Sequence, residues 1–241
     1  MLYDFLRWRL ARPLVRHVLR PTMIGLENIP ATGPVLLAGN HISEADSWPV
    51  PTVIRRHVTE LAKLDFFKAT DFKGRLLARV LRFLPTVPVD TRGGPDAHHS
   101  LDAVIDILRA GGMVGIFPEG TRSPDGRLYR FHTGVARLAL ASGALVVPMG
   151  CVNTRLRRGF LGLPTLKHAH YTVGEAMDFS ADFGRQDDPA VLRRVTDEIA
   201  AAIQALTGQT YVDVYARRVK SGELTLEQAD AFVRARPGAD A

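Results

Sequence analysis

The sequence predicts an α/β protein: a single domain with a mostly parallel central sheet flanked by helices, plus an N-terminal amphipathic helix that lies on a membrane surface. Three observations lead there. Short uncharged apolar runs, such as Val35-Leu36-Leu37-Ala38-Gly39 and Met113-Val114-Gly115-Ile116-Phe117, alternate with longer segments whose apolar residues recur at helical spacing. That alternation predicts parallel strands with crossover helices on both faces. The 241 residues, 46% hydrophobic and 23% charged, suffice for one sizeable core. The first 20 residues combine Leu2, Phe5, Leu6, Trp8, Leu10, Leu14, Val15, Val18 and Leu19 with five arginines, opposed only by Asp4. Aromatic and basic residues interleaved in this way suit the lipid–water interface.

Taken in order, residues 1–20 form that interfacial segment, with Pro13 expected to kink or split it. Residues 21–206 form the main domain and 207–241 a helical C-terminal extension. Residues 21–33 read as a connector with a short strand, and 34–39 as a buried strand. A helix is expected to start after Asp46, because Asp caps helix N-termini and Pro49 and Pro51 fit a first turn. Strands follow at 58–64, 85–90, 113–117 and 144–148, with an edge strand at 168–173. Helices are expected over 74–83, 95–110, 132–142 and 189–206, and in two pieces beyond Gly208. Glycines at 111, 112 and 143 supply stops.

The net charge of +6 points to an anionic partner: nucleic acid, a membrane surface or a phosphorylated substrate. No nucleic-acid motif is present, so nucleic acid is not expected. Cys151 stands alone, which rules out an internal disulfide and fits a reducing compartment. No signal-peptide pattern follows the first residues. The uncharged window Leu138–Thr154 is broken by Gly143 and Pro148. It falls short of the roughly 20 apolar residues of a spanning helix, so no transmembrane segment is expected.

Two stretches carry chemistry. Asn40-His41-Ile42-Ser43-Glu44-Ala45-Asp46 lies at the carboxyl end of a strand, where open α/β sheets place their sites. It reads either as a surface turn with an N-cap or as a catalytic pair in which Asp46 holds the imidazole and His41 acts as base. The second stretch, Phe117-Pro118-Glu119-Gly120-Thr121-Arg122-Ser123, also ends a strand. It offers a carboxylate, a glycine that lets backbone approach a ligand, a hydroxyl and a guanidinium fork suited to phosphate. Its alternative is a glycine turn with a Glu–Arg ion pair. His98 with His99, and His168 with His170 on one strand face, lack a partner set at zinc spacing, so no metal is expected. No Gly-x-Ser-x-Gly elbow is present to support a serine hydrolase.

Together, Asn-His with Asp five residues after the histidine and the later Phe-Pro-Glu-Gly-Thr-Arg-Ser resemble the glycerolipid acyltransferase family, over residues 20 to 175. Val87-Pro88-Val89-Asp90-Thr91-Arg92 looks like the family's Val-Asp-Arg element, with Thr91 inserted and its usual preceding glycine missing. Val146-Val147-Pro148-Met149 looks like its proline element. The resemblance implies transfer of a fatty acyl group from acyl-CoA or acyl carrier protein to the free hydroxyl of lysophosphatidic acid, or of a related acceptor such as glycerol 3-phosphate. It implies His41 and Asp46 as catalytic residues. It also implies Lys63, Arg92, Glu119, Gly120, Thr121 and Arg122 as substrate-binding residues. No cofactor is needed beyond the thioester co-substrate, and the expected location is the cytoplasmic face of a membrane, bound peripherally. Arg155, Arg157 and Arg158 are expected to meet donor phosphates.

Overall fold

The computed structural model describes residues 2–68, 70–89, 95–159 and 162–239, with backbone only for Lys73, Leu77 and residues 95–100. The strands are β1 (Thr22–Ile24), β2 (Val35–Gly39), β3 (Val58–Lys63), β4 (Thr86–Val89), β5 (Met113–Ile116), β6 (Leu128–Tyr129), β7 (Leu145–Val152), β8 (Arg157–Arg158), β9 (Pro164–Thr165), β10 (His170–Val173), β11 (Tyr211–Val212) and β12 (Val233–Arg234). The α-helices are α1 (Leu2–Leu6), α2 (Pro49–Val53), α3 (Leu64–Lys68), α4 (Phe72–Phe83), α5 (Pro95–Arg109), α6 (Gly134–Ser142), α7 (Pro189–Thr207), α8 (Ala216–Lys220) and α9 (Leu226–Asp230).

Among the described residues, seven strands form the central sheet in the order β1-β10-β7-β2-β5-β3-β4. From β7 to β4 every neighbouring pair is parallel; β10 runs antiparallel to β7, and β1 pairs parallel with β10. The segment expected as an edge strand is therefore covered by β1, and only His170 of its two histidines lies in the strand. β2 is buried at all five positions, as a central parallel strand must be. Its side chains alternate: Leu36 and Ala38 face α5, α6 and α7, while Val35 and Leu37 face the N-terminal segment and α2. β7 runs past Pro148 instead of stopping there. The proline's carbonyl accepts from Gly174 on the β10 side, where the ladder is already interrupted, so the missing N–H is tolerated.

The N-terminal segment is helical as expected. Beyond α1 it widens into π-helical turns at Arg7–Ala11 and Leu14–Leu19, on either side of Pro13. One face is built into the domain: Val15 and Leu19 join the core, and the buried Arg7 donates from Nη2 to the carbonyls of Ile54 at 2.5 Å and Arg56 at 2.8 Å. The other face exposes Leu2, Phe5, Leu10, Leu14 and Val18. Helices α3 and α4 extend this apolar surface with Phe66, Phe72, Leu76, Val80 and Phe83, the last in edge contact with Tyr3 at 6.3 Å between centroids.

The helix expected after Asp46 is shorter and starts later. A 3-10 turn at Glu44–Asp46 is capped by Ser43, and α2 begins only at Pro49 behind Trp48. Asp46 does not cap α2, because its carboxylate turns back toward residues 41–43. The C-terminal extension carries strands as well as helices. β11 pairs parallel with β6 and antiparallel with β12, weaving the extension into the domain through residues 211–212 and 233–234.

Candidate active site

β2 lies between β5 and β7. The chain leaving β2 crosses one face through α2, where Val50 and Val53 pack, and returns as β3. The chain leaving β5 crosses the opposite face through α6 and returns as β7. These diverging connections open a crevice outside the carboxyl ends of β2 and β5. Both sequence stretches lie in it.

His41 Nδ1 is 2.9 Å from Asp46 Oδ2. The same oxygen accepts from the backbone N–H of Ile42 at 2.6 Å and of Ser43 at 2.7 Å, while Oδ1 accepts from the Thr154 hydroxyl. Asp46 is fully buried and His41 is 19% exposed at its side chain. A carboxylate held by donors on every side stays an acceptor, so the imidazole places its proton on Nδ1. In that neutral tautomer Nε2 carries the lone pair a base needs. The ring stacks on Phe117 at 4.3 Å and 21°, which limits its rotation.

The second stretch clamps the first. Glu119 Oε1 accepts from His41 N–H at 3.0 Å and Oε2 from Tyr129 N–H at 3.2 Å. Ser123 N–H donates to the His41 carbonyl at 2.6 Å. The peptide groups of His41 are thus gripped on both sides. Glu119 was expected to face substrate; the structure turns it inward, 1% exposed, with both oxygens on backbone amides. Burial pushes its carboxyl up to about 8, against the pull of those two N–H donors. Gly120 takes φ +71°, and a Cβ there would come within 3.1 Å of the His132 ring. Gly120 N–H closes the turn on the Phe117 carbonyl at 3.0 Å.

A cavity of about 220 Å³ opens beside Ile42, Ser43, Glu44, Arg122, Ser123, Pro124, Arg155 and Lys220. Arg122 is half-exposed and ion-paired with Glu44. Thr121 accepts from Lys220 Nζ at 3.1 Å. Lys63, exposed at the end of β3, is among the cations acting on Lys220. Arg157 and Arg158 form a separate two-stranded ribbon with residues 164–165, and only Arg155 of the basic loop lines the cavity. Arg92 lies outside the described residues. Among the described residues no cluster of three or more His, Cys, Asp or Glu side chains is placed to hold a metal ion.

Four supporting residues escaped sequence reasoning. Thr154 fixes Asp46. Asn40, fully buried, exchanges bonds with the Cys151 backbone at 2.7 and 2.9 Å and donates to Gln209 at 2.9 Å. Gln209 in turn donates to the Gly126 carbonyl at 2.6 Å. Lys220 reaches Thr121 from the C-terminal extension. Only Asn40 stands within a quoted stretch, where no role is read for it. The others are ordinary polar residues brought in from far along the chain.

A strand-end His–Asp pair, locked to a Glu-Gly-Thr-Arg turn on a mostly parallel sheet, defines a class, and the chain belongs to the acyltransferase family. The family model, described as Acyltransferase, matches residues 20–152, more than half of the chain. Among its relatives is the 1-acyl-sn-glycerol-3-phosphate acyltransferase of Borreliella burgdorferi, 31% identical over 137 residues, covering 54% of this chain and 50% of the relative. A chloroplastic enzyme of the same name from Arabidopsis thaliana is 28% identical over 131 residues, covering 54% and 35%. The chain thus spans half or less of the length of these two relatives. The fold resembles the crystal structure of the 1-acyl-sn-glycerophosphate acyltransferase PlsC from Thermotoga maritima, with a TM-score of 0.55 and 21% identity over 86% of this chain and 82% of that one.

Proposed function

We propose that this protein transfers a fatty acyl group from acyl-CoA or acyl carrier protein to the free hydroxyl of lysophosphatidic acid, giving phosphatidic acid. The observation that carries the reading is the His41–Asp46 pair, 2.9 Å from Nδ1 to Oδ2, beside a cavity bordered by cations. The acceptor hydroxyl gives its proton to Nε2 as its oxygen attacks the thioester carbonyl. Asp46 stabilises the imidazolium, as the carboxylate does in hydrolase triads. The tetrahedral adduct collapses, the C–S bond breaks, and the imidazolium returns the proton to the thiolate. The atoms balance as ester plus thiol, with no acyl-enzyme and no redox partner. Arg122, with Lys63 and Arg92, draws the acceptor phosphate. Glu119 acts as a positioning residue through the His41 backbone.

The test is a panel in which purified protein is given acyl-CoA or acyl carrier protein with lysophosphatidate, glycerol 3-phosphate or a lysophospholipid bearing a larger headgroup. Lysophosphatidate is expected to give the highest kcat/KM. Equal or better use of either other acceptor would overturn that choice.

The exposed apolar face of the N-terminal segment, continuous with α3 and α4, supports peripheral binding to an anionic membrane surface. No helix among the described residues is long and apolar enough to cross a membrane. Deleting residues 1–20 would strip Arg7, Val15 and Leu19 from the core, so surface substitutions test this better. The triple variant Phe5→Ser, Leu10→Ser, Leu14→Ser is expected to weaken flotation with anionic vesicles at least about tenfold while the protein stays folded. Unchanged flotation would remove this segment from the membrane contact.

A further inference from the structure

We propose that Lys220, delivered by the C-terminal extension, is a phosphate-binding residue of the active site, completing with Arg122 and Arg155 a site for the phosphate monoester of the acceptor. It deepens the acceptor reading above and rests on it for the identity of the ligand. Residues 20–152 match the family model, and Lys220 lies outside that match.

The placement of Lys220 follows from how α8 is docked. Ala216 at the start of α8 is fully buried and packs with Val212, Val214 and Ala229 in a small core of the extension. Just before α8, Tyr215 stacks on His132 at 4.4 Å and 8°. The His132 ring occupies the space beside Gly120 that any side chain there would need, and the His132 backbone N–H donates to the Pro118 carbonyl at 2.9 Å. At the other end of α8, Lys220 Nζ donates to Thr121 Oγ1 at 3.1 Å. The helix therefore straddles the Glu-Gly-Thr-Arg turn, held by an aromatic stack at one end and by the ammonium at the other.

The charges around the cavity are unbalanced. Among the described residues, Arg122, Arg155 and Lys220 line it, and Glu44 is the one carboxylate in its lining, already paired with Arg122. Burial and the nearby Arg122 and Lys63 pull the Lys220 ammonium below its ordinary pKa, with Glu119 opposing. A dianion in the cavity relieves this like-charge crowding, and a phosphate monoester offers three terminal oxygens to the cations that converge there. Thr121, which the sequence nominates as a binding residue, then serves chiefly to aim Lys220.

The experiment reads binding apart from turnover. The full chain is acetylated with a limiting amine reagent, and Lys220 modification is followed by mass spectrometry alone, with inorganic phosphate, with lysophosphatidate and with the matching monoacylglycerol. Phosphate and lysophosphatidate are expected to protect Lys220, and monoacylglycerol is not. In kinetics, Lys220→Met, which keeps the aliphatic stem, is expected to raise KM for lysophosphatidate roughly tenfold, with little change in donor KM. Lys220→Arg is expected to restore most of that loss. Absence of protection, or protection by monoacylglycerol, would overturn the inference. So would a rise confined to the donor KM, which would assign Lys220 to donor phosphates, or a fall in melting temperature with both KM values unchanged. If phosphate protects Lys220 but lysophosphatidate is no substrate, the site stands and the acceptor reading fails. If lysophosphatidate is turned over with Lys220 unprotected, the acceptor reading stands and the inference fails.

Discussion

Replacing His41 by alanine is expected to lower kcat by about 10²–10⁴-fold, the contribution of a positioned general base. The loss should fall on kcat more than on acceptor KM, because the cations that draw the phosphate are untouched. Stability should change little. The side chain is 19% exposed, and its removal forfeits the stack on Phe117 and one of four bonds to Asp46. An aromatic stack is worth about 0.5–1.5 kcal/mol beyond burial, and for a chain of this size 1 kcal/mol shifts Tm by about 2–4 °C. Thiol release and thermal melting, measured on the same preparation, separate the two effects. Activity within tenfold of wild type would rule out His41 as the base.

Asp46 is expected to show two phenotypes, depending on what replaces it. Its carboxylate accepts from His41, the amides of Ile42 and Ser43, and the Thr154 hydroxyl. Asparagine keeps one acceptor oxygen for the first three donors, and the Thr154 hydroxyl can rotate to accept from the new amide. Asp46→Asn should therefore stay folded while the imidazolium loses its counter-charge, with kcat falling by about 10³–10⁴-fold by analogy with hydrolase triads. Alanine leaves those donors facing a void in a fully buried site. Asp46→Ala should cost about 3–5 kcal/mol of stability in addition to the activity. Chemical denaturation of the two variants beside wild type checks this. Equal stability of Asp46→Ala and Asp46→Asn would show that the network is not structural.

The strands and long helices were legible because burial writes itself locally: Val35–Gly39 and Met113–Ile116 lack charge, and α7 keeps helical spacing from Pro189 to Thr207. The two site stretches were legible for the same reason, each being contiguous. What was not legible depends on where a side chain turns. An aspartate three residues before a proline looks like an α-helical cap, yet Asp46 bends back because four donors converge on it. Glu119 looks like a ligand-facing carboxylate beside Gly-Thr-Arg, yet the two amides it holds lie inside the fold. The short strand expected within residues 21–33 is β1, but its pairing with β10, which turns an expected edge strand into an inner one, is a tertiary event. Thr154, Gln209 and Lys220 carry no local mark at all.

The long reach of these bonds has a consequence for biogenesis. Asp46 waits for Thr154, His41 for Glu119, and Asn40 for Gln209, separations of 108, 78 and 169 residues along the chain. Such contacts close large loops and are slow to form. A ribosome-bound chain that has exposed the histidine and aspartate holds them on an unsupported turn. Thr154 must emerge before Asp46 is fully held, and Gln209 before Asn40 is. The network around residues 40–46 is thus completed only when Gln209, from the C-terminal extension, joins the fold.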